Sequence, residues 1–392
     1  MMNWNGATRK TSFAMLAILV LFSLTTCTAI PTPSPTPSNL NVGYYISHLT
    51  YYNGHLYFGA GHCLYELAVQ NQSLRELQCA EGQIYQRPVI SQEMLFVHII
   101  GTVHPTQQFI ALDIRSGATV WHTDELDITS AYIPSQENVV VSANSIITVL
   151  PDTKRQKERV CALDIQKGTS LWCSSPGHIR SSEPLSITDD LVWFLLCEDT
   201  ECQVIAVDSR SGETRHKLTV PEGNFDQLLL VDPEWIIGYH ITPSCLLVLE
   251  RNRDIVKLIV NLQIPEVIHQ SLKRDDTFVF SNGREIKAIN LQNGNVEWLV
   301  DDRTVTAPTA YHATSYPFLL QSDAQFDLCG INLDNGDLAW KRRVNRYSLP
   351  LVNNDIVYIA DEGSILSLDI ASGNTLWEAK VNSSYQYYSS NY

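Results

Sequence analysis

Residues 162–172 read Ala162-Leu163-Asp164-Ile165-Gln166-Lys167-Gly168-Thr169-Ser170-Leu171-Trp172. Ala111, Leu112, Asp113, Gly117 and Trp121 carry the same spacing. The pattern returns as Ala288-Ile289-Asn290 with Gly294 and Trp298, as Ile331-Asn332 with Gly336 and Trp340, and as Leu368-Asp369 with Gly373 and Trp377. A fainter copy, Ala206-Val207-Asp208 with Gly212, has His216 in place of the indole. Two eroded copies, around Leu67 and Leu249, put Gln72 and Asp254 at the glycine position. The eight positions are spaced by 45, 51, 44, 42, 40, 42 and 37 residues. A period near 43 marks a repeat architecture.

The last copy shows what one repeat contains. Apolar runs at 349–352, 356–360, 365–370 and 375–381 are separated by Asn, Asp and Gly punctuation. Each run reads as a strand, and Gly373 sits where the turn between the third and fourth needs a left-handed backbone. Four strands in about 40 residues, repeated, is the footprint of a propeller blade. No window sustains a 3.6-residue apolar period, which excludes a helical solenoid. The expected fold is all-β: an eight-bladed propeller of four-stranded antiparallel blades.

The spaced Ala-Leu-Asp, Gly and Trp resemble the pyrrolo-quinoline-quinone-type (PQQ-like) β-propeller repeat, and the likeness runs from about residue 45 to 381. The resemblance implies that Trp121, Trp172, Trp298, Trp340 and Trp377 pack between neighbouring blades. It implies that Asp113, Asp164, Asp208, Asp369 and Gly117, Gly168, Gly212, Gly294, Gly336, Gly373 shape the turn between strands three and four. These carboxylates are therefore read as structural. Glu76, His216 and Leu258 stand at the Trp position of the remaining repeats, which makes those the weaker junctions.

The N-terminus reads as an export signal, residues 1–26. Arg9 and Lys10 precede an apolar run from Phe13 to Leu24, too short to span a bilayer comfortably, followed by Thr25-Thr26-Cys27. Ending on Cys, it resembles a bacterial lipobox, with Thr26 departing from the usual small residue. Cys27 is the expected lipidation site, and cleavage after Ala29 with release of a secreted protein is the alternative. Residues 27–39 form a linker in which Pro31, Pro33, Pro35 and Pro37 favour an extended stalk of roughly 25 Å. The propeller is expected over 40–384 and a tail over 385–392. The stretch 382–392 either pairs beside 40–45 to close the circle or frays.

Without the signal, 25 basic residues face 42 acidic ones, a net charge of −17. Such a body does not bind nucleic acid or anionic lipid by bulk charge. The basic run Lys154-Arg155-Gln156-Lys157-Glu158-Arg159 is a local exception, read as a solvated loop or a contact for an acidic partner.

Cys27 apart, the chain has eight cysteines. Cys63/Cys79 and Cys161/Cys173 are each centred one residue before the repeat Gly position, which sets the members of a pair opposite each other on one hairpin face. Cys197 and Cys202 flank a short turn. All three pairs are candidate disulfides in an oxidising compartment. Cys245 and Cys329 fall in non-adjacent repeats and are expected as thiols.

A quinone-dependent dehydrogenase is the enzyme reading the family raises. There the quinone stacks on a ring made by two adjacent bonded cysteines, and this chain has no adjacent pair. The eleven histidines form no metal-binding spacing; His55 and His62, seven apart, read as turn or surface residues. No nucleophile elbow or phosphate loop occurs. The chain is accordingly read as non-catalytic, without cofactor or metal.

Insertions gather between strands two and three, at 101–107, 151–159, 198–201 and 322–327. Those connections share one side of a propeller, so His104, Lys154, Arg155, Asp199 and Gln325 are the candidate contacts. The expected function is a monomeric, membrane-anchored protein-interaction platform at the cell envelope. It is architecturally similar to the BamB-type outer-membrane assembly propeller. A carbohydrate- or other ligand-binding module is the alternative.

Overall fold

A computed structural model describes residues 46–381 apart from 85, 102–105, 124–125, 128–138, 153–156, 180–184, 199–200, 219–226, 241–243, 252–254, 263–267, 269, 282–284, 302–317, 323–326, 345–349 and 362. The chain divides into the units Met1–Thr36 and Pro37–Tyr392, and every described residue lies in the second. Cys27, the linker, residues 40–45 and the tail lie outside the described residues. Among the described residues no helix is long and apolar enough to cross a membrane.

The described residues form eight antiparallel sheets in chain order. These are the blades: 1 (50–79), 2 (82–127), 3 (139–173), 4 (178–218), 5 (227–261), 6 (270–301), 7 (318–343) and 8 (351–380). In blade 8, Leu351–Asn353, Ile356–Asp361, Ser364–Asp369 and Thr375–Lys380 pair each with the next. The first strand is half-buried, the middle two are buried along their centres, and the fourth is mostly exposed. First strands touch at five of the junctions, 8–1, 1–2, 3–4, 4–5 and 5–6, among the described residues. The first strands therefore line the inside of a ring and the fourth strands form its rim.

Eight hydrophobic clusters join the blades, one per junction, among the described residues. The decisive one joins the chain's two ends: Phe58, Cys63 and Tyr65 of blade 1 pack with Tyr358, Ile365 and Ala379 of blade 8. Tyr51 and Tyr358 stack there with ring centroids 6.0 Å apart, and burial pushes the Tyr358 phenol up to about 12. The first and last blades are each one contiguous stretch, so this junction closes the wheel by side-chain burial.

A β-bulge recurs in the third–fourth strand ladder of every blade. In blades 2 to 8 it lies immediately before the Trp position: Leu163 faces Ser170 and Ala162 faces Trp172, leaving Leu171 as the extra residue. The bulge re-aims the following side chain and twists the exposed edge, which discourages edge-to-edge pairing. In blade 1 the bulge is displaced by two residues, between Leu64 and Tyr65.

The insertions differ from the expectation of loops. In blades 2, 3 and 4 the central hairpin strands are eight residues each: Met94–Gly101 with Thr106–Asp113, Ser145–Asp152 with Lys157–Asp164, and Leu191–Glu198 with Glu201–Asp208. The corresponding strands of blades 1, 5, 6 and 8 have five or six residues. The described part of the inserted sequence therefore lengthens paired strands, where backbone groups bond each other instead of needing water.

Candidate functional site

The turn between strands three and four is built the same way in several blades. The Asp113 carboxylate accepts hydrogen bonds from the Ser116 amide at 2.7 Å and the Ser116 hydroxyl at 2.7 Å. Asp164, Asp208 and Asp369 accept the equivalent amides. The Ser116 and Ser372 hydroxyls hold Asp113 and Asp369 below the usual carboxylate range, and the Ser211 amide does so for Asp208. At the residue after the Asp or Asn, the preceding blade takes part. Trp121, Trp172, Trp298 and Trp340 each donate the indole N–H to a carbonyl three residues before the following blade's Gly: Ile165 (2.9 Å), Ser209 (3.0 Å), Leu333 (2.8 Å) and Ile370 (2.7 Å). The indole lies flat on that Gly. A Cβ at Gly212 would meet Trp172 at 2.6 Å, and one at Gly373 would meet Trp340 at 2.5 Å. Those glycines also have φ of 71° and 67°, a left-handed backbone.

The carbonyl that receives the indole is itself fixed. The amide of the same residue donates to the first–second strand turn of its own blade, as in Ile165 to Asn144 (3.1 Å), Ser209 to Asp190 (2.8 Å) and Ile370 to Asp355 (2.9 Å). At the blade 2–3, 3–4 and 7–8 junctions backbone and indole bonds thus alternate along this face of the ring.

Among the junctions without this indole bond, two carry charged side chains. Where blade 4 has His216, the indole has moved to the second strand. Trp193, fully buried, stacks on His216 at 5.5 Å, and the Arg251 guanidinium of blade 5 lies 6.0 Å from its ring. Arg251 also pairs with Asp189. At the blade 1–2 junction, a small residue facing Trp is replaced by Glu66 facing Arg75. Elsewhere the small residue is Ala111, Ala162, Ala288, Gly330 or Ser367. Arg75 bonds Glu66 at 2.5 Å and the blade 2 carbonyls of Arg115 at 2.9 Å and Ile114 at 3.4 Å. Ile114 occupies the position whose carbonyl receives an indole elsewhere. Glu66 also accepts from the Tyr57 hydroxyl at 3.0 Å and lies 3.0 Å from His55 Nδ1. Burial, with the Glu66 charge adding to it, pushes the Tyr57 phenol above its ordinary value. His55, read from sequence as a turn or surface residue, follows the turn at Asn53 and Gly54 with its side chain 38% exposed, and its ring borders the buried Glu66. Because of the displaced bulge, Leu77 rather than Glu76 lies against Gly117.

The opposite face carries the lengthened hairpins of blades 2, 3 and 4, three neighbours in the ring. Arg159 holds Asp152 across the blade 3 hairpin at 2.9 Å. Glu158 accepts the Ile179 amide of blade 4 at 3.1 Å, and burial raises its carboxyl above the usual range. Cys197 and Cys202 are bonded across the blade 4 hairpin, with Cα atoms 4.0 Å apart. Cys63–Cys79 and Cys161–Cys173 are bonded between third and fourth strands at 4.0 and 4.1 Å. The Glu76 carboxylate near Cys63 and Cys79 makes no metal site, because both sulfurs are in the disulfide. Cys245 and Cys329 are buried. His104, Lys154, Arg155, Asp199 and Gln325 lie outside the described residues.

Eight radially packed antiparallel sheets, of three to six strands each among the described residues, define a PQQ-type β-propeller. The profile of the family described as "Outer membrane protein assembly factor BamB" matches residues 80–232 and 263–390, and the chain belongs to this family. Among solved structures it resembles BamB from Moraxella catarrhalis, with 14% identity, 84% of this chain and 96% of that one covered, and a TM-score of 0.60. It also resembles the computationally designed Ika8 protein, at 13% identity, 84% and 98% coverage and a TM-score of 0.64. The quinohemoprotein alcohol dehydrogenase from Comamonas testosteroni matches at 10% identity, 77% and 68% coverage and a TM-score of 0.53. At these identities the likenesses concern the fold alone. Comparison with curated protein sequences gave no match. The quinone seat of a dehydrogenase does not fit this chain: its disulfides link residues 16, 12 and 5 apart, and no two cysteines are adjacent.

Proposed function

We propose that this protein is an exported, non-catalytic interaction platform at the cell envelope, held to a membrane through a lipid on Cys27. The observation that carries the reading is the asymmetry of the ring. One face is a uniform belt of short turns, while the other is raised over blades 2–4 by hairpins two residues longer per strand, roughly 7 Å. Cross-hairpin bonds stiffen that wall at Asp152–Arg159 and Cys197–Cys202. A rigid, projecting surface loses little conformational entropy when it docks. Membership of a family described by an outer-membrane assembly factor supports a protein partner. The net charge of −17 after signal removal argues against nucleic acid.

The test has two arms. Affinity capture from envelope extracts with the native protein, against a variant lacking 151–159, should lose its main captured protein in the variant. An unchanged captured set removes the wall as the contact. Metabolic labelling with a radioactive fatty acid should mark the native chain and not Cys27→Ala. Equal labelling, or no label on either with the protein in the medium, replaces the anchor with simple secretion.

A further inference from the structure

We infer that the cavity between blades 1 and 2, on the face of the short turns, binds an uncharged polyhydroxyl ligand, a sugar. Two junctions show the same niche, bounded by the first–second strand turn, the third strand and the start of the next blade's turn. At the blade 6–7 junction, where Trp298 docks, Thr277, Val279 and Asp334 line it and it holds about 180 Å³. At the blade 1–2 junction the equivalent positions are His55, Tyr57 and Arg115, and the volume is about 360 Å³. That lies within the range of ordinary ligand pockets.

Stability does not account for the change. Glu66 is 9% exposed. Burying its charge beside Arg75 is no improvement on the packing of an indole opposite Ala or Gly used at four other junctions. The two replacements face each other in register, and each is costly without the other. The arrangement is therefore explained by what it presents to the cavity.

The lining selects the ligand chemistry. Its two anions are matched by its two cations: Glu66 by Arg75 at 2.5 Å, and Glu93 by Arg115 at 2.5 Å. No net field remains to favour an ion. What remains is a set of donors and acceptors at several angles, from the guanidinium N–H groups, the second Glu93 oxygen and the Asn53 amide. Tyr52 adds aromatic surface with a hydroxyl tip, while the buried Tyr57 lines the cavity with its hydroxyl held by Glu66. Planar polar groups that each reach two hydroxyls, beside an aromatic ring, suit a sugar better than a carboxylate or a lipid tail. The site lies on the face opposite the raised wall and does not depend on the partner reading above.

The experiment titrates the full-length protein in detergent with N-acetylglucosamine, diacetylchitobiose and maltose, and with citrate as an anion, by calorimetry. At least one sugar should bind saturably. Glu93→Gln and Arg115→Met, both at exposed side chains, should each weaken it about tenfold without moving the unfolding temperature. Saturable citrate binding that depends on Arg115, with no sugar binding, overturns the proposal in favour of an anion site. So does sugar binding indifferent to both substitutions, and so does no heat from any sugar at millimolar concentration. Protein capture through residues 151–159 is read separately, so either proposal can fail alone.

Discussion

The blade 7–8 and blade 1–2 junctions solve one geometric problem with opposite chemistry. At 7–8, Trp340 lies on Gly373, donates to Ile370 and opposes Gly330 within its own blade. At 1–2, Arg75 opposes Glu66 and reaches the carbonyls of Ile114 and Arg115. Both cap the same backbone carbonyl of the next blade. The indole does so with apolar area and one hydrogen bond. The guanidinium does so with hydrogen bonds and a charge that needs a buried counter-charge. The first arrangement maximises stability, and the second leaves a polar cavity. A repeat can therefore give up packing at one junction while its neighbours keep the ring closed.

Breaking the two junctions in parallel should give the largest difference. Trp340→Ala should cost about 3–5 kcal/mol in urea unfolding, the usual range for a buried indole. Arg75→Ala should cost about 1–2 kcal/mol, because the Arg75 side chain is 46% exposed and water partly screens what it leaves behind. Removing Glu66 as well should recover part of that loss. Equal costs for the two single variants would mean that the polar junction bears as much load as the indole.

The glycines sharpen the contrast at smaller scale. Gly168→Ala drives a Cβ into Trp121 at a backbone with φ of 69° and should cost about 2–4 kcal/mol. At Gly117 the nearest atom is a Leu77 carbonyl oxygen at 3.2 Å, with φ of 74°, so Gly117→Ala should carry only the backbone strain, about 1 kcal/mol. Thermal midpoints that fall equally would show that the indole yields.

The smallest effect concerns pH. Asp113, Asp208 and Asp369 are held below the ordinary aspartate value, so their contribution is present above about pH 4 and lost as pH falls through their folded values. Glu158 runs the other way: its raised carboxyl favours the folded state at low pH, and that help is lost as pH climbs through its folded value. Urea midpoints between pH 5 and 3 should drop less in a variant carrying Asn at Asp113, Asp208 and Asp369. An identical drop would place acid sensitivity elsewhere.

Much of this fold was legible because blade junctions leave a residue signature. An indole that docks on a glycine needs both residue types at a set spacing, and the turn needs an acceptor such as Asp113 or Asp369. Where that signature was absent, reading along the chain located a defect but not its remedy. His216 marked a missing indole, yet Trp193, which fills the gap, sits 23 residues earlier on another strand. Glu76 stood at the Trp position by count, but a bulge displaced by two residues put Arg75 opposite Glu66 and Leu77 against Gly117. Cys63 and Cys79 face each other because they lie beyond that bulge. Nothing in the neighbours of His55 along the chain announces that Glu66 lies beside it.

The sequence by itself determined the number of blades, their strand order and the side of the ring that varies, since periodic spacing records mutual burial of like units. Only the tertiary structure decided how each junction is filled and that the wheel closes by packing Phe58 and Tyr65 against Tyr358 and Ile365. It also decided that inserted segments become paired strands and that a polar cavity opens beside Glu66. The physical reason is that side chains from strands distant in sequence share one volume. What fills it depends on which neighbour arrives there, and a one-dimensional pattern does not record that.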